Sequence, residues 1–132
     1  MKIVDKLIGL TKRCFQNRIS DNRRRNSSFA MPDILQGALA MFHLKDPSLL
    51  IFRQNMVERA ENLRKLYKIN ALPEDSALRE ALDVVDWREL HQTFSYLWTC
   101  LLHKKDLSER RVLGEYLAFA ADGTAHFASA KC

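Results

Sequence analysis

Asp122 is the residue whose surroundings point most directly to chemistry. It follows the apolar or small residues 116–121 and precedes Gly123, so its carboxylate stands at the end of a predicted strand. An ionised carboxylate in such a place is costly unless something pairs with it, and a divalent metal ion would do so. Asp-Gly between two strands also suits a hairpin turn, because both residues tolerate a positive φ. On these residues alone, a metal ligand and a turn both stay open.

A second group of candidate residues is basic and lies near the N-terminus. Residues 1–25 hold eight Lys or Arg against two Asp, a net charge of +6, whereas the other 107 residues sum to −1. Such a block is typical of phosphate contact, since each bound Lys or Arg releases condensed counterions from nucleic acid. The residues predicted to contact nucleic-acid phosphates are Lys12, Arg13, Arg18, Arg23, Arg24 and Arg25. The alternative is that the arginine run is a solvated linker without a ligand.

Most other signatures of enzymes are missing from the sequence. It has no glycine-rich phosphate loop, no nucleophile elbow and no paired metal histidines. The three cysteines are odd in number and lack metal-ligand spacing, which favours free thiols in a reducing compartment. No apolar run approaches the ~18 residues of a membrane span, so we expect a cytoplasmic protein without membrane association.

The elements that position these residues are predicted to be mainly helical. The chain has 132 residues, 47% of them hydrophobic and 28% charged, a composition that suits a packed core. Apolar residues recur at three- and four-residue spacing through five segments, which predicts helices over 3–19, 32–44 and 46–67, then from 74 and from 86. The last helix begins with a capping-box pattern, Asp86-x-x-Glu89. Its predicted apolar face consists of Trp87, Leu90, Phe94, Leu97, Trp98 and Leu101.

The pattern changes after Arg111. Residues 116–121 lose helical spacing, Asp122 and Gly123 follow, and residues 125–129 are again apolar or small, which predicts strand, turn and strand. Two strands do not make an independently stable sheet. The predicted organisation is therefore a helical region of about five helices over 1–111, followed by a β-hairpin over 112–132 whose strands need further pairing.

Four segments, taken in order, resemble DDE-type transposases of bacterial insertion sequences. They are Ser28 to Leu35, Phe42 to Leu50, Asn62 to Ile69, and Asp122 to Thr124. The resemblance runs from about Phe29 to Ser129 and covers the front part of such an enzyme. It implies a helical region that binds transposon-end DNA, leading into a ribonuclease-H-like α/β catalytic domain whose first strand carries the first acid, Asp122.

The resemblance also implies a chemistry. In the family, three carboxylates hold two Mg²⁺ ions that promote DNA strand cleavage and transfer, and Asp122 would be the first acid and a metal ligand. The sequence ends at Cys132, so the second Asp and the Glu that the family places further along are not in it. We therefore expect the incomplete centre to be inactive and to bind no Mg²⁺. After Asp-Gly-Thr, Ala125 and His126 replace the family's usual glycine and aromatic residue.

Two functions from different classes fit these patterns. The first is an N-terminal fragment of a transposase that binds double-stranded DNA in transposition, in the bacterial nucleoid, as a homo-oligomer or beside an intact transposase. Arg88 and Gln92, on a helix that follows a short helix as in helix-turn-helix modules, would read the DNA sequence. The alternative is a small cytoplasmic helical module that binds another protein, in which Asp122 is only a turn residue.

Overall fold

The computed structural model describes residues 3–24, 27–103, 111–113 and 116–117. Within these ranges the chain is mainly helical, as predicted, with five helices and one short antiparallel hairpin. The helices are α1 (Ile3–Arg18), α2 (Met31–His43), α3 (Leu49–Leu66), α4 (Asp75–Asp83) and α5 (Trp87–His103). The strands are β1 (Arg111–Val112) and β2 (Tyr116–Leu117). The predicted start of a ribonuclease-H-like core falls almost wholly outside the described residues.

Helix α3 begins later than its sequence pattern suggests. The hydroxyl of Ser48 accepts the backbone N–H of Ile51 at 3.2 Å and caps the helix, two residues after the predicted start at Asp46. Asp46 instead accepts a hydrogen bond from Asn55 at 3.1 Å and pairs with Arg59 at 2.7 Å. Its carboxylate thus connects the turn between α2 and α3 to the middle of α3 through a hydrogen bond and an ion pair.

Helix α5 has half of its predicted capping box. The Asp86 carboxylate accepts the backbone N–H of Arg88 at 2.8 Å, as an N-cap does. Glu89 does not reach back to the start of its own helix. Its two carboxylate oxygens accept the backbone N–H and the hydroxyl of Ser20, each at 2.7 Å. Glu89 therefore links the residues after α1 to the first turn of α5 by hydrogen bonds.

Helix α2 is the centre of the packing. It packs against α1, α3 and α4, whereas α5 packs against α1. Ile34 of α2 is fully buried together with Phe52 of α3 and Leu78 of α4. The buried Gln36 donates from its amide to the carbonyl of Ile8 at 3.2 Å, so a polar contact also joins α2 to α1. The core thus forms around α2, with α5 held at the side.

The predicted apolar face of α5 is only partly covered. Leu97 is 4% exposed and Thr93 is fully buried. The aromatic residues of the same predicted face remain open, with Trp87 65%, Phe94 47% and Trp98 38% exposed. The packing of α5 against α1 therefore leaves part of the aromatic surface of α5 exposed.

The hairpin differs from the predicted one in its first strand. Tyr116 pairs with Val112, and Leu117 with Arg111, so the strand at 116 has a partner upstream. The helical region was predicted to extend to 111, but the structure places Arg111 in β1 and ends α5 at His103. Residues 118–132, which include the predicted second strand and Asp122, lie outside the described residues.

Candidate nucleic-acid interface

The exposed side of α1 is basic. Lys6, Arg13 and Arg18 are exposed along this helix. Lys68, from the segment after α3, crosses the helix at Gly9, where its Cε lies 3.9 Å from the position that a Cβ would take. We call these four cations the α1 surface. In the part of the chain that the structure describes, none of the four forms an ion pair.

The α1 surface has dimensions that suit a nucleic-acid backbone. Lys6 and Arg18 are twelve residues apart, which is about 18 Å along an α-helix. That distance corresponds to roughly five steps of a DNA strand. At about 100° per residue, Arg13 and Arg18 lie about 140° apart around α1. Arg13 therefore points along the outer side of the helix, and Arg18 lies at the edge that meets α5.

Arg18 connects α1 to a row of polar residues on α5. Its guanidinium lies 3.7 Å from the centre of the Tyr96 ring, a cation–π contact. Gln92 is one turn before Tyr96 on the same row, and Arg88 is one turn before Gln92. Both are exposed, and Arg88 lies 3.8 Å from the carboxylate of Asp86. The structure thus brings Arg18, Gln92 and Arg88, all predicted from the sequence to contact DNA, to one edge of the molecule.

Lys12 has a different role from the predicted phosphate contact. Its ammonium lies 2.6 Å from the carboxylate of Asp33, and the two side chains are 13% and 5% exposed. It also donates to the carbonyl of Lys68. Asp33 in turn accepts the backbone N–H of Asn70 at 3.0 Å. Lys12 therefore holds α1, α2 and the segment after α3 together and is not free to contact a ligand.

The arginines of the run differ in their contacts and in their exposure to solvent. Arg23 donates twice to the carboxylate of Asp21, at 2.8 and 2.7 Å, and once to the carbonyl of Phe29 at 2.8 Å. Its side chain is 12% exposed, and the hydrogen bonds from Arg23 lower the pKa of Asp21. Arg24 is exposed, whereas Arg25 lies outside the described residues. Among the arginines of the run that the structure describes, Arg24 is the one whose side chain is exposed and accessible to a ligand.

The packing gives no support to a helix-turn-helix module. Residues 84–86 join α4 to α5, as the sequence predicted. However, α4 packs against α2 and α3, whereas α5 packs against α1. In a helix-turn-helix the two helices form one unit, with the second presented to the major groove. The polar row of α5 is thus better described as the edge of the α1–α5 pair.

The segments that carry the family resemblance supply contacts between helices. His43, from the second segment, shares a hydrogen bond of 2.6 Å with the hydroxyl of Tyr67 from the third. Asp33, from the first segment, bonds Lys12 and the backbone N–H that directly follows the third. Burial raises the pKa of the Tyr67 phenol. These segments therefore join α2 to the end of α3.

An apolar groove of about 420 Å³ opens beside the α1 surface, and its residues were not predicted to form a site. It runs between α1, α2 and α5. Its walls include Val4, Leu7, Phe94, Trp98 and Leu101, and His43 and Tyr67 also line it. The sequence signal that could have revealed it is the width of the apolar face of α5, which exceeds what packing against one helix can cover.

The described residues do not provide the metal site that the family resemblance implies. Among them, no group of three or more His, Cys, Asp or Glu side chains is arranged to hold a metal ion. Asp122, the predicted metal ligand, lies outside them. The part of the chain that the structure describes therefore offers no fit for the Mg²⁺ ions of the family.

Comparison of the chain with protein-family models, with curated proteins and with solved structures gives no match. None of the helices within the described ranges is both long and apolar enough to cross a lipid bilayer.

Proposed function

We propose that this chain is the N-terminal, DNA-binding part of a DDE-type transposase, and that the α1 surface binds the phosphates of transposon-end DNA. One observation carries the proposal: Lys6, Arg13, Arg18 and Lys68 are exposed and, among the described residues, without ion pairs. The order of the four family-like segments supports the choice of family. The interhelical bonds of His43 and of Asp33 support a structural role for those segments.

The charge on α1 favours phosphate over an acidic protein as the ligand. The helix contains one acid, Asp5, and its exposed cations are spread over about 18 Å instead of being clustered. Four phosphate contacts would give the logarithm of the binding constant a slope of about −3 to −4 against the logarithm of salt concentration. At the α5 edge, Arg88 and Gln92 have the side chains that most often pair with guanine and adenine in the major groove.

The test compares two variants of equal charge. Lys6→Gln/Arg13→Gln/Arg18→Gln removes three cations of the α1 surface. Lys45→Gln/Arg64→Gln/Arg79→Gln removes three exposed cations from other parts of the molecule. Fluorescence anisotropy measures the binding of wild type and both variants to a labelled random duplex and to duplexes that tile the DNA flanking the gene. Each titration is repeated at several salt concentrations, with circular dichroism to confirm that the helices remain.

We expect the α1 variant to lower the affinity at least tenfold and to reduce the salt slope by about two to three, since each lost phosphate contact removes about 0.9. The control variant should bind as wild type does. Equal losses in both variants would show that net charge and not the α1 surface is responsible. Preference for one of the flanking duplexes would support recognition of transposon ends.

A second candidate function is favoured by the apolar groove. In this case the chain is a helical interaction module whose groove receives an apolar helix of another protein. It predicts no DNA binding even at low salt. It also predicts that a labelled amphipathic helical peptide binds the wild-type chain, and that Phe94→Ser, a change at a groove residue that is 47% exposed, weakens this binding without lowering helix content.

A further inference from the structure

Four rings lie along one side of α5. Trp87, His91, Phe94 and Trp98 follow one another at steps of four, three and four residues, so they share one row of the helix. We call these residues the aromatic row. All four are exposed, Trp87 at 65%. Because an α-helix rises about 1.5 Å per residue, the row is about 16 Å long. It therefore presents ring surfaces to solvent over about three turns of the helix.

The aromatic row borders the polar row of α5. At about 100° per residue, Arg88 lies about 100° around the helix from Trp87, and Gln92 lies about 100° from His91. The buried Thr93 is on the opposite side of the helix, about 160° from His91. The solvent-facing side of α5 thus carries rings and polar side chains next to each other.

Guanidinium groups lie against rings at two places on α5. That of Arg88 is 4.9 Å from the centre of the Trp87 ring, and that of Arg18 is 3.7 Å from the centre of the Tyr96 ring. Arginine and aromatic side chains in this combination suit nucleic acid, because the ring stacks on a base and the guanidinium pairs with phosphate. Arg18 also belongs to the α1 surface, so the rings of α5 adjoin the cations proposed to contact phosphates.

The carboxylates near these rings are held within the protein. Glu89 is the one acid of α5, and its two oxygens accept hydrogen bonds from Ser20. Asp86, just before the helix, accepts the backbone N–H of Arg88 at 2.8 Å and lies 3.8 Å from the guanidinium of the same residue. The complementary ligand is a polyanion, since both carboxylates have protein donors and the adjoining α1 surface is cationic.

Rings at a protein surface stack on bases only where the faces of the bases are accessible. In a duplex, neighbouring bases cover one another at a step of about 3.4 Å along each strand. In an unpaired strand the bases separate readily, and aromatic side chains accept them with little regard to sequence because every base has a π-face. An apolar helix of another protein would cover the same rings but would leave the neighbouring arginines without a phosphate. The combination of rings and cations therefore favours single-stranded DNA.

We propose that the aromatic row of α5 is a binding site for single-stranded DNA, in which its rings stack on unpaired bases while Arg88 and the α1 surface contact the phosphates of the strand. The phosphate contacts rest on the proposed function, whereas the stacking contacts are separate from it. Trp87 is the ring that we expect to contribute most, because it is exposed and has a guanidinium beside it.

The experiment compares two oligonucleotides of equal charge. One is a dT strand of about twelve nucleotides, and the other is an abasic strand with the same phosphates and no bases. Fluorescence anisotropy of the labelled strands gives both affinities. Tryptophan fluorescence with unlabelled strands reports stacking directly, because the two tryptophans of the sequence, Trp87 and Trp98, both belong to the aromatic row.

Three variants test the row. Trp87→Leu keeps an apolar side chain but removes the ring, and Trp87→Phe keeps a ring. Phe42→Leu is the matched control, since it removes a ring that is 73% exposed on α2. Circular dichroism confirms that the helices remain in each variant. A labelled random duplex is titrated in parallel with every protein.

We expect wild type to bind the dT strand at least about fivefold more tightly than the abasic strand, the factor that one stacked base contributes, and to lose tryptophan fluorescence on binding. Trp87→Leu should lower the dT affinity by at least about fivefold and leave the abasic affinity unchanged. Trp87→Phe should keep most of the preference for dT, and Phe42→Leu should bind as wild type does.

Equal affinities of wild type for the two strands would overturn the proposal, and so would equal losses in Trp87→Leu and Phe42→Leu. The comparison of the two strands needs only the wild-type chain, so it stands even if a variant fails to fold. A preference for dT without any duplex binding would contradict the proposed function and support the stacking site. Equal affinities for the two strands together with binding of an amphipathic helical peptide would assign the row to a protein partner instead.

Discussion

Lys12 and Asp33 form an ion pair that is almost closed to solvent, with side chains 13% and 5% exposed and 2.6 Å between their charged atoms. Removing both charges from water is costly, and their mutual attraction offsets that cost only while both are present. A variant that removes one partner leaves an uncompensated charge inside the molecule. The pair therefore makes Lys12 a structural residue, although its position in a basic segment suggested a ligand contact.

We predict that Lys12→Met lowers the free energy of unfolding by about 3 kcal/mol, because the carboxylate of Asp33 stays buried without its partner. Lys12→Met/Asp33→Asn should be less destabilised than the single variant. The neutral amide can still accept the N–H of Asn70, and it has no charge to bury. Urea unfolding followed by circular dichroism measures both values. If the double variant is no more stable than Lys12→Met, the buried charge is not the cause.

Asp21 and Arg23 give a prediction about pH. Hydrogen bonds from Arg23 lower the pKa of Asp21 in the folded chain. A lowered folded pKa means that the stabilisation is complete above the unfolded pKa and is lost as pH falls through the folded pKa. Since Asp21 is 44% exposed, we expect its contribution to be under about 1 kcal/mol. In an NMR titration, Arg23→Ala should move the Asp21 midpoint upward, and an unchanged midpoint would contradict the assignment.

Helix α2 contains a glycine at a position where a neighbouring side chain leaves no room for a Cβ atom. A Cβ added at Gly37 would lie 2.7 and 2.9 Å from the two methyl carbons of Leu72. Leu72 is itself 7% exposed, so its methyl groups have little freedom to move away. Glycine inside a helix costs about 1 kcal/mol relative to alanine. Here the close approach of Leu72 offsets that cost.

We predict that Gly37→Ala destabilises the wild-type chain by about 1 kcal/mol, because the overpacking cost of about 1–3 kcal/mol exceeds the gain in helix propensity. In a Leu72→Ala background the same change should stabilise the chain by about 1 kcal/mol. Thermal or urea unfolding of the four proteins of this double-mutant cycle measures the coupling. A gain in stability from Gly37→Ala in both backgrounds would show that Leu72 moves aside easily.

The five helices were predictable because each depends on local signals. Three- and four-residue apolar spacing and capping residues act over a few positions, and they locate α1 to within one residue of its end. Helix starts were misplaced or misread where a polar residue has a partner distant in sequence. Asp46 pairs with Arg59, and Glu89 bonds to Ser20, 69 residues away. Such pairings depend on the packing of whole helices, which periodicity does not specify.

The sequence shows that the N-terminal segment is basic, but it does not show which of its cations are exposed at the candidate interface. The excess of Lys and Arg in residues 1–25 directs attention to α1, where the structure shows exposed Lys6, Arg13 and Arg18. It does not reveal that Lys12 is paired with Asp33, or that Arg23 is turned toward Asp21. The sequence did not point to Lys68, because this residue lies far from α1 along the chain. The segment after α3 passes beside α1 and brings the Lys68 side chain to Gly9.

Within the described part of the molecule, side-chain contacts join the basic helix α1 to α2 and α5. Lys12 fixes α1 to α2, and Ser20 joins the residues after α1 to α5. The backbone positions that carry the exposed cations are therefore held in place, so the DNA binding proposed above would cost mainly side-chain freedom. The net charge of +5 also favours encounter with nucleic acid from a distance, and salt screens this attraction.

The last prediction separates DNA binding from DNA cleavage. Transposase chemistry of the DDE type needs three carboxylates to place two Mg²⁺ ions on the attacking and leaving oxygens. Within these 132 residues the family resemblance supplies one of the three, Asp122, and a single carboxylate leaves Mg²⁺ mostly hydrated.

We therefore expect a purified polypeptide of this sequence to bind duplex DNA as Asp122→Asn does, both in Mg²⁺ and in EDTA, and to leave supercoiled plasmid intact in both. Conversion to open circles, resolved on agarose gels, measures cleavage. Asp122→Asn is the matched control and should behave as wild type does in both assays. Nicking that requires Mg²⁺, persists through purification and disappears in Asp122→Asn would show that this chain, alone or as an oligomer, assembles a working metal centre.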